Sequence, residues 1–531
     1  MPLAEHERLI AFLQSPSAYP HRPRKVSSIQ THVSWVFIAS PFVFKVKKPV
    51  DLGFLDFRTL EKRSHFCRRE LELNRRLCPE VYLAVMPIYE SAAGFSLEDA
   101  KGEIVEYAVK MRELPHGWFL SELLAKGAVG ETEINRVISR LQKFYDSQTA
   151  TAQIEQWGRL EKLRISTDEN FAQAAPFVGK TISPVALEAM RSFTNNFYQA
   201  NRALFQERIQ EHRLRDCHGD LHLDHVHVTP EATTIFDCIE FNDRFRFIDI
   251  ANDLAFLAMD FDFEGERELA RLLFRNAARE FRDAGMLKLA DFYKCYRAVV
   301  RGKVESIQAM SGEAVDRAEH ARRARRYFRL ALRYATSGSR PLALVIMGQV
   351  ATGKSTVARQ LATELDWPVF SSDQIRKTLT GVPLTERTAP ELRVHVYSEQ
   401  ITEETYQKLL DEALAALASH GGVVIDATFS RRFQRDLLRD KCVKAGVPLR
   451  VVELEANRET IRRRLKAREE SPEAISDARL EDFEKLSAAY EPPAELAADL
   501  IKVSTDDGLP DAVKAVLLRL VQNQSSEKMV H

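Results

Sequence analysis

Leu344-Val345-Ile346-Met347-Gly348-Gln349-Val350-Ala351-Thr352-Gly353-Lys354-Ser355-Thr356 governs the reading of the last third of this chain. An apolar run with β-branched residues is followed by G-x-x-x-x-G-K-S-T, and then by the helix-compatible stretch Val357–Ala362. The β- and γ-phosphates of a nucleotide need a concave ring of backbone N–H donors. Gly348 and Gly353 let the chain turn tightly there, and the following helix presents its positive N-terminus. In this pattern Lys354 reaches the β/γ-phosphates, and Ser355, ahead of Thr356, offers its hydroxyl to Mg²⁺. A plain glycine turn between strand and helix is the simpler alternative, but it explains neither the Lys-Ser-Thr nor both flanks.

Working outward, residues 342–347, 422–426 and 449–454 read as strands separated by amphipathic helical patterns. That alternation predicts a parallel α/β sheet. A basic helix-forming run over 314–332 ends at Tyr334-Ala335-Thr336-Ser337-Gly338-Ser339-Arg340-Pro341, which predicts a seam and domains of 1–337 and 338–531. A chain of 531 residues, 45% apolar, has room for two or three cores. Its 76 basic and 76 acidic side chains balance, so no global charge argues for nucleic acid or an anionic membrane. The six cysteines form no C-x-x-C pair, as expected of reduced thiols. The first residues lack the order of a signal peptide, and no apolar run approaches the roughly 18 residues that span a bilayer. A soluble cytoplasmic protein without a membrane partner is the expectation.

Before the seam the pattern changes. Val33–Ile38 and Phe42–Val46 read as strands, about Thr59 to Leu77 as a charged helix, and Val81–Tyr89, Phe95–Asp99 and Glu103–Met111 as further strands. Residues 119–208 and 249–333 read mostly as helix, with a compact β-like segment over 214–240. This predicts a small β-rich lobe (about 25–115) and a larger helical lobe (about 116–337). Cys217-His218-Gly219-Asp220-Leu221-His222-Leu223-Asp224-His225 places a carboxylate, Asp220, where it can accept a hydroxyl proton. Asp237, at the end of the apolar run Thr234-Ile235-Phe236, can hold Mg²⁺. Lys45 closes a strand, Lys47 shares its face, and Glu70 on the next helix is the natural ion-pair partner.

On these residues the segment 25–335 resembles the aminoglycoside phosphotransferase and choline-kinase-like branch of the protein-kinase-like fold. The resemblance implies Lys45 on the phosphates, Glu70 as its partner, Asp220 as catalytic base and Asp237 as metal ligand. It also implies a hinge at Lys110–Pro115, and Asp249 and Asp253 as scaffold. The sequence departs from the family twice. His225 stands where the family normally has a metal-binding Asn, and an imidazole suits Mg²⁺ poorly. The segment expected over the phosphates, Ser27–Ser34, contains no glycine.

Beyond the phosphate loop, Ser371-Ser372-Asp373-Gln374-Ile375-Arg376 suits an acceptor site: Asp373 can orient a hydroxyl and Arg376 can clamp an anion. The same residues also suit an N-cap. Asp426 ends the strand Val423-Val424-Ile425 and fits either a catalytic or a structural carboxylate. Arg464 and Arg468 are i,i+4 neighbours on a helix that reads as a lid able to neutralise a transferring phosphoryl group, or as a solvated basic face. Residues 342–520 resemble the polynucleotide-kinase-like and zeta-toxin-like small P-loop kinases.

The whole chain resembles bacterial fusions of an aminoglycoside-phosphotransferase-like domain with a P-loop kinase-like ATPase domain. This implies an α+β bilobal kinase-like fold followed by an α/β parallel-sheet P-loop fold. It implies ATP and Mg²⁺ as cofactors and phosphoryl transfer to the hydroxyl of a small molecule or nucleotide, with nucleic acid entering only as a 5′-hydroxyl acceptor. The alternative is a regulatory protein whose first domain is a pseudokinase that gates the second.

Overall fold

The computed structural model describes residues 3–31, 33–51, 53, 55–98, 102–311, 314–384, 386–469, 477–496 and 500–526. The chain falls into two compact units: residues 1–165 with 202–293, and residues 166–201 with 294–531.

In the first unit, strands β1 (Ser27–Gln30), β2 (Ser34–Ala39), β3 (Phe42–Lys47), β4 (Tyr82–Ser91), β5 (Gly94–Ser96) and β6 (Glu103–Arg112) form one antiparallel sheet in the order β1-β2-β3-β6-β4-β5. Lys45 lies between Val36 of β2 and Val109 of β6, near the middle of that sheet. Strand alternation sends Phe44 and Val46 to one face and Lys45 and Lys47 to the other. The helix Leu60–Arg75 starts at Thr59, whose hydroxyl accepts from Lys62 N. Its buried stripe of Cys67, Glu70, Leu73 and Asn74 packs toward β4 and β6. Two short antiparallel ribbons follow. One pairs β7 (Leu214–Asp216) with β10 (Phe247–Asp249), and the other pairs β8 (Val226–Val228) with β9 (Thr233–Ile235). The connections 217–225 and 236–246 between them carry the acidic and histidine residues. The helix Ile250–Phe263 behind them is buried along nearly its whole length.

In the second unit β11 (Leu342–Met347), β12 (Val369–Ser371), β13 (Gly422–Asp426), β14 (Leu449–Glu455) and β15 (Leu500–Ser504) make a fully parallel sheet in the order β12-β13-β11-β14-β15. β11 and β13 are buried at every position, as strands covered on both faces must be.

The division of the chain differs from the expected seam. The helices Pro184–Ala200 and Ala314–Thr336 pack with Leu509–Ser526 inside the second unit, so 334–341 is an internal connection rather than a linker. The reason lies in Ala324, Tyr327, Phe328, Ala331 and Ala335, a buried helical stripe that requires an apolar cover. Among the described residues no helix is long and apolar enough to cross a membrane.

Candidate functional site

In the first unit Glu70 is completely buried and divides its carboxylate between two lysines: Lys45 Nζ lies 3.0 Å from Oε1 and Lys47 Nζ 2.6 Å from Oε2. Lys45 also reaches Asp237 Oδ1 at 2.5 Å, and Lys47 pairs with the buried Glu240. Burial works against the Lys45 ammonium, but Asp237, Glu70 and Glu240 outweigh it and hold its pKa well above the ordinary value. Burial likewise opposes the Asp237 carboxylate, and Lys45 together with His225 still brings it below the usual range. Glu240 shifts the other way, because burial exceeds the help from Lys47. Asp237 has φ +64°, with its N–H donated to the buried Tyr82 hydroxyl at 3.3 Å.

The 217–225 connection is held from beneath. Asp253 accepts from His218 N (2.9 Å), Gly219 N (2.8 Å) and the Tyr145 hydroxyl (2.9 Å). Asp249 takes a two-toothed ion pair from Arg208 and caps Ala251. Both acids have the geometry of scaffold. Gly219, at φ +88°, would bring a Cβ within 2.8 Å of Phe245 O, so the turn requires glycine. The turn leaves Asp220 with 34% of its side chain exposed, beside His222 Nε2 (3.6 Å) and His225 Nδ1 (3.7 Å). His225 donates from Nδ1 to Asp220 O at 2.9 Å and faces Asp237 Oδ2 with Nε2 at 3.6 Å. Burial, aided by His222, pushes His225 down to about 4, so the ring is neutral near pH 7.

Asp220, Asp237, His225, Lys45 and Glu70 thus form a connected set. Sequence reasoning missed Glu240 and His222 as members. The Asp237-x-x-Glu240 spacing and the parity of Lys45 and Lys47 on β3 were the available signals. The expected covering segment over 27–34 is in part β1, exposed throughout, while His32 lies outside the described residues.

In the second unit the phosphate loop joins β11 to the helix Lys354–Leu365. Gly348, at φ +137°, would place a Cβ 2.4 Å from Leu454 O, and Gly353 has φ +94°. Lys354 Nζ donates to Gln349 O at 2.7 Å across the loop, and Ser355 and Thr356 are exposed. Asp426, buried at the end of β13 beside Ile346 and Ser371, accepts from the Ser355 and Ser371 hydroxyls. Burial raises its pKa against the pull of Ser355 and Lys354. Lys354, Ser355 and Asp426 therefore meet at the carboxyl ends of the interior strands β11 and β13, with Asp373 near enough for its charge to act on Asp426. The oxygen set of Ser355 and Asp426 suits Mg²⁺.

Asp373 stands half-buried in the first turn of the helix Ser372–Thr380, whose N-cap is Ser371. Arg376 is buried: Nη1 donates to Val396 O and Thr402 Oγ1, both at 3.1 Å, and the guanidinium lies 4.9 Å over the Tyr397 ring. It anchors the entry to the helix Glu399–His420. Arg464 Nη1 donates to Thr505 Oγ1 at 2.8 Å and to Ala351 O at 3.4 Å, and Nη2 to Thr505 O at 2.7 Å. This guanidinium sits against the phosphate loop. The Arg468 side chain lies outside the described residues. Thr505, which also donates to Thr352 O at 2.8 Å, was not anticipated and has no motif of its own.

Two family models match separate stretches of the chain, and the first runs through 166–201 of the second unit. Residues 140–291 match the model of the phosphotransferase enzyme family, and residues 344–493 match an AAA domain. An uncharacterized protein of Mycobacterium tuberculosis (strain ATCC 25618 / H37Rv) is 31% identical over 400 residues, 75% of this chain and 78% of that protein. A protein of Mycobacterium bovis matches equally. A shikimate kinase of Rhodopseudomonas palustris is 30% identical over 138 residues, 26% of this chain and 60% of the enzyme. Among solved structures, a gluconokinase from Sinorhizobium meliloti 1021 is 22% identical, covers 36% of this chain and 98% of its own, and has a TM-score of 0.26. The chain belongs to the family of these mycobacterial proteins, with one stretch that matches the phosphotransferase enzyme family and another that matches an AAA domain.

Proposed function

We propose that both units bind ATP with a divalent cation and transfer the γ-phosphoryl group to a hydroxyl of a small molecule or nucleotide. The observation that carries the two-site reading is Lys45 held between Glu70 and Asp237. That arrangement fixes a cation where phosphate oxygens can take it and leaves the partially exposed Asp220 to accept the acceptor's proton. In this reading the first unit works as a two-lobed kinase with the sheet β1–β6 as its small lobe. In the second unit Lys354 leaves Gln349 O for the β/γ-phosphates, Ser355 and Asp426 hold Mg²⁺, Asp373 orients the acceptor and Arg464 steadies the transferring group. The reaction breaks the bond from the γ-phosphorus to the β–γ bridging oxygen and forms one to the acceptor oxygen. ADP departs, and the acceptor proton passes to Asp220 or, in the second unit, to Asp373. The balanced charge of the chain gives no global attraction to an anionic membrane.

The test is a γ-labelled ATP screen over sugars, nucleosides, aminoglycosides and 5′-hydroxyl oligonucleotides, using the full chain beside Asp220→Asn and Lys354→Ala. A product lost only in Asp220→Asn belongs to the first unit, and one lost only in Lys354→Ala to the second. If labelled product is never lost with Asp220→Asn, the first unit does not catalyse transfer.

A further inference from the structure

The donor atoms around Asp237 are not those of a magnesium site. His225 Nδ1 lies 2.9 Å from Asp220 O, and a carbonyl only accepts, so Nδ1 carries a proton and Nε2 is the ring nitrogen that can meet a metal. Nε2 lies 3.6 Å from Asp237 Oδ2, while Oδ1 of the same carboxylate is occupied by Lys45. Two ligand atoms each about 2.1 Å from one metal ion, at tetrahedral to trigonal angles, stand about 3.4–3.6 Å apart.

A second observation points the same way. Asp220, His222 and His225 each offer a ligand atom, and all three atoms lie within 4.8 Å of one another. The His222 and His225 ring centroids are 3.8 Å apart, so two imidazoles lie side by side next to Asp220. Mg²⁺ takes oxygen ligands and keeps its waters, whereas imidazole nitrogen suits first-row transition ions, whose affinity rises from Mn²⁺ toward Zn²⁺.

We propose that the first unit holds a divalent first-row transition-metal ion through His225 Nε2 and Asp237 Oδ2, and takes its nucleotide with that ion in preference to Mg²⁺. The proposal rests on reading this unit as a phosphotransferase. The second unit, with the hydroxyl of Ser355 and the carboxylate of Asp426, keeps the oxygen set of a magnesium site. One chain then carries two nucleotide sites with different metal requirements.

The probe is Mn²⁺ with ADP, bound to the full chain carrying Lys354→Ala so that the phosphate loop does not contribute. Pulsed electron paramagnetic resonance should show modulation from an imidazole nitrogen, present in Lys354→Ala, retained on adding His222→Asn and lost on adding His225→Asn. In competition titrations, His225→Asn should shift the Mn²⁺-over-Mg²⁺ binding ratio by at least tenfold toward Mg²⁺. Absence of nitrogen coupling in the Lys354→Ala chain, its survival in His225→Asn, or a smaller shift in the ratio overturns the proposal. Because the first readout needs no change at His225, misfolding of that variant cannot rescue it. Binding of Mg²⁺–ADP without nitrogen coupling removes this inference alone. Failure to bind either metal–nucleotide pair removes the phosphotransferase reading, and this inference with it.

Discussion

Lys47 Nζ lies 2.6 Å from Glu70 Oε2, with both side chains essentially sealed from solvent. One carboxylate therefore compensates two buried cations, since its other oxygen meets Lys45 at 3.0 Å. Removing one partner of a buried ion pair leaves an uncompensated charge. Glu70→Ala should accordingly destabilise the first unit by about 3 kcal/mol. Urea unfolding followed by tryptophan fluorescence checks this, since Trp35, Trp118 and Trp157 lie in that unit. A loss below about 1 kcal/mol would mean that Asp237 and Glu240 suffice for both lysines.

Gly348 should tolerate no side chain. Its φ of +137° and the 2.4 Å approach of a Cβ to Leu454 O combine backbone strain with a clash against main chain. Gly348→Ala should cost about 2 kcal/mol or more in stability and abolish nucleotide binding by the phosphate loop. Gly381 also has a positive φ, +68°, but open space around it. Gly381→Ala should cost about 1 kcal/mol and leave nucleotide affinity unchanged. Fluorescent ATP-analogue titration of both variants, in a Lys45→Ala background that removes the phosphate contact of the first unit, distinguishes the two effects. Equal affinities would contradict the role assigned to Gly348.

Asp477 should make the second unit acid-sensitive. Burial alone would raise its pKa, but donation from Thr388 N (2.9 Å), Thr388 Oγ1 (2.5 Å) and the Tyr397 hydroxyl (2.9 Å) lowers it below 3.8. A depressed carboxylate stabilises the fold fully above its unfolded pKa and loses that contribution as pH falls through the folded value. Asp477→Asn should therefore lower stability by about 1–3 kcal/mol at pH 7. The gap between variant and parent should close only below pH ~4. Thermal melts between pH 7 and pH 3 measure it, and a gap that widens toward low pH would reverse the assignment.

The parts legible in the sequence were those whose signal is local. β11 and β13 are continuous apolar runs rich in β-branched residues, and their bounds follow the runs. The helix Leu60–Arg75 was legible as a charged run opening at Thr59, although its buried face of Arg63, Ser64, Cys67, Glu70, Leu73 and Asn74 is mostly polar. β15 did not: Leu500-Ile501-Lys502-Val503-Ser504 is short, lies at the sheet edge and alternates buried with exposed positions. Glu240 escaped because its partner Lys47 is 193 residues away, and no periodicity encodes that meeting. Arg376 illustrates the opposite difficulty. Its spacing from Asp373 suggested an anion clamp, whereas its guanidinium is engaged by Val396 O and Thr402 from a segment the motif does not include. Composition also placed the domain seam at 334–341, because a helix's need for an apolar cover does not say which helix supplies it.

Arg464 should act on turnover rather than on ground-state binding. Its fork grips Thr505 through both the hydroxyl and the carbonyl and reaches Ala351 O in the loop, which holds the guanidinium beside Gly353. A lysine keeps the charge but cannot reproduce two diverging donors in one plane. Arg464→Lys should lower kcat of the phosphate-loop unit about 10–100-fold with KM for ATP changed less than about threefold, as expected when charge is met mainly in the transition state. Thr505→Val removes the hydroxyl that orients the fork and should produce a smaller loss in kcat. Because the two residues share a contact, the double variant should lose less than the sum of the two single losses. Steady-state kinetics of the four chains, in an Asp220→Asn background, completes the cycle. Additive losses would show that Arg464 and Thr505 act separately, and an effect confined to KM would make Arg464 a binding residue.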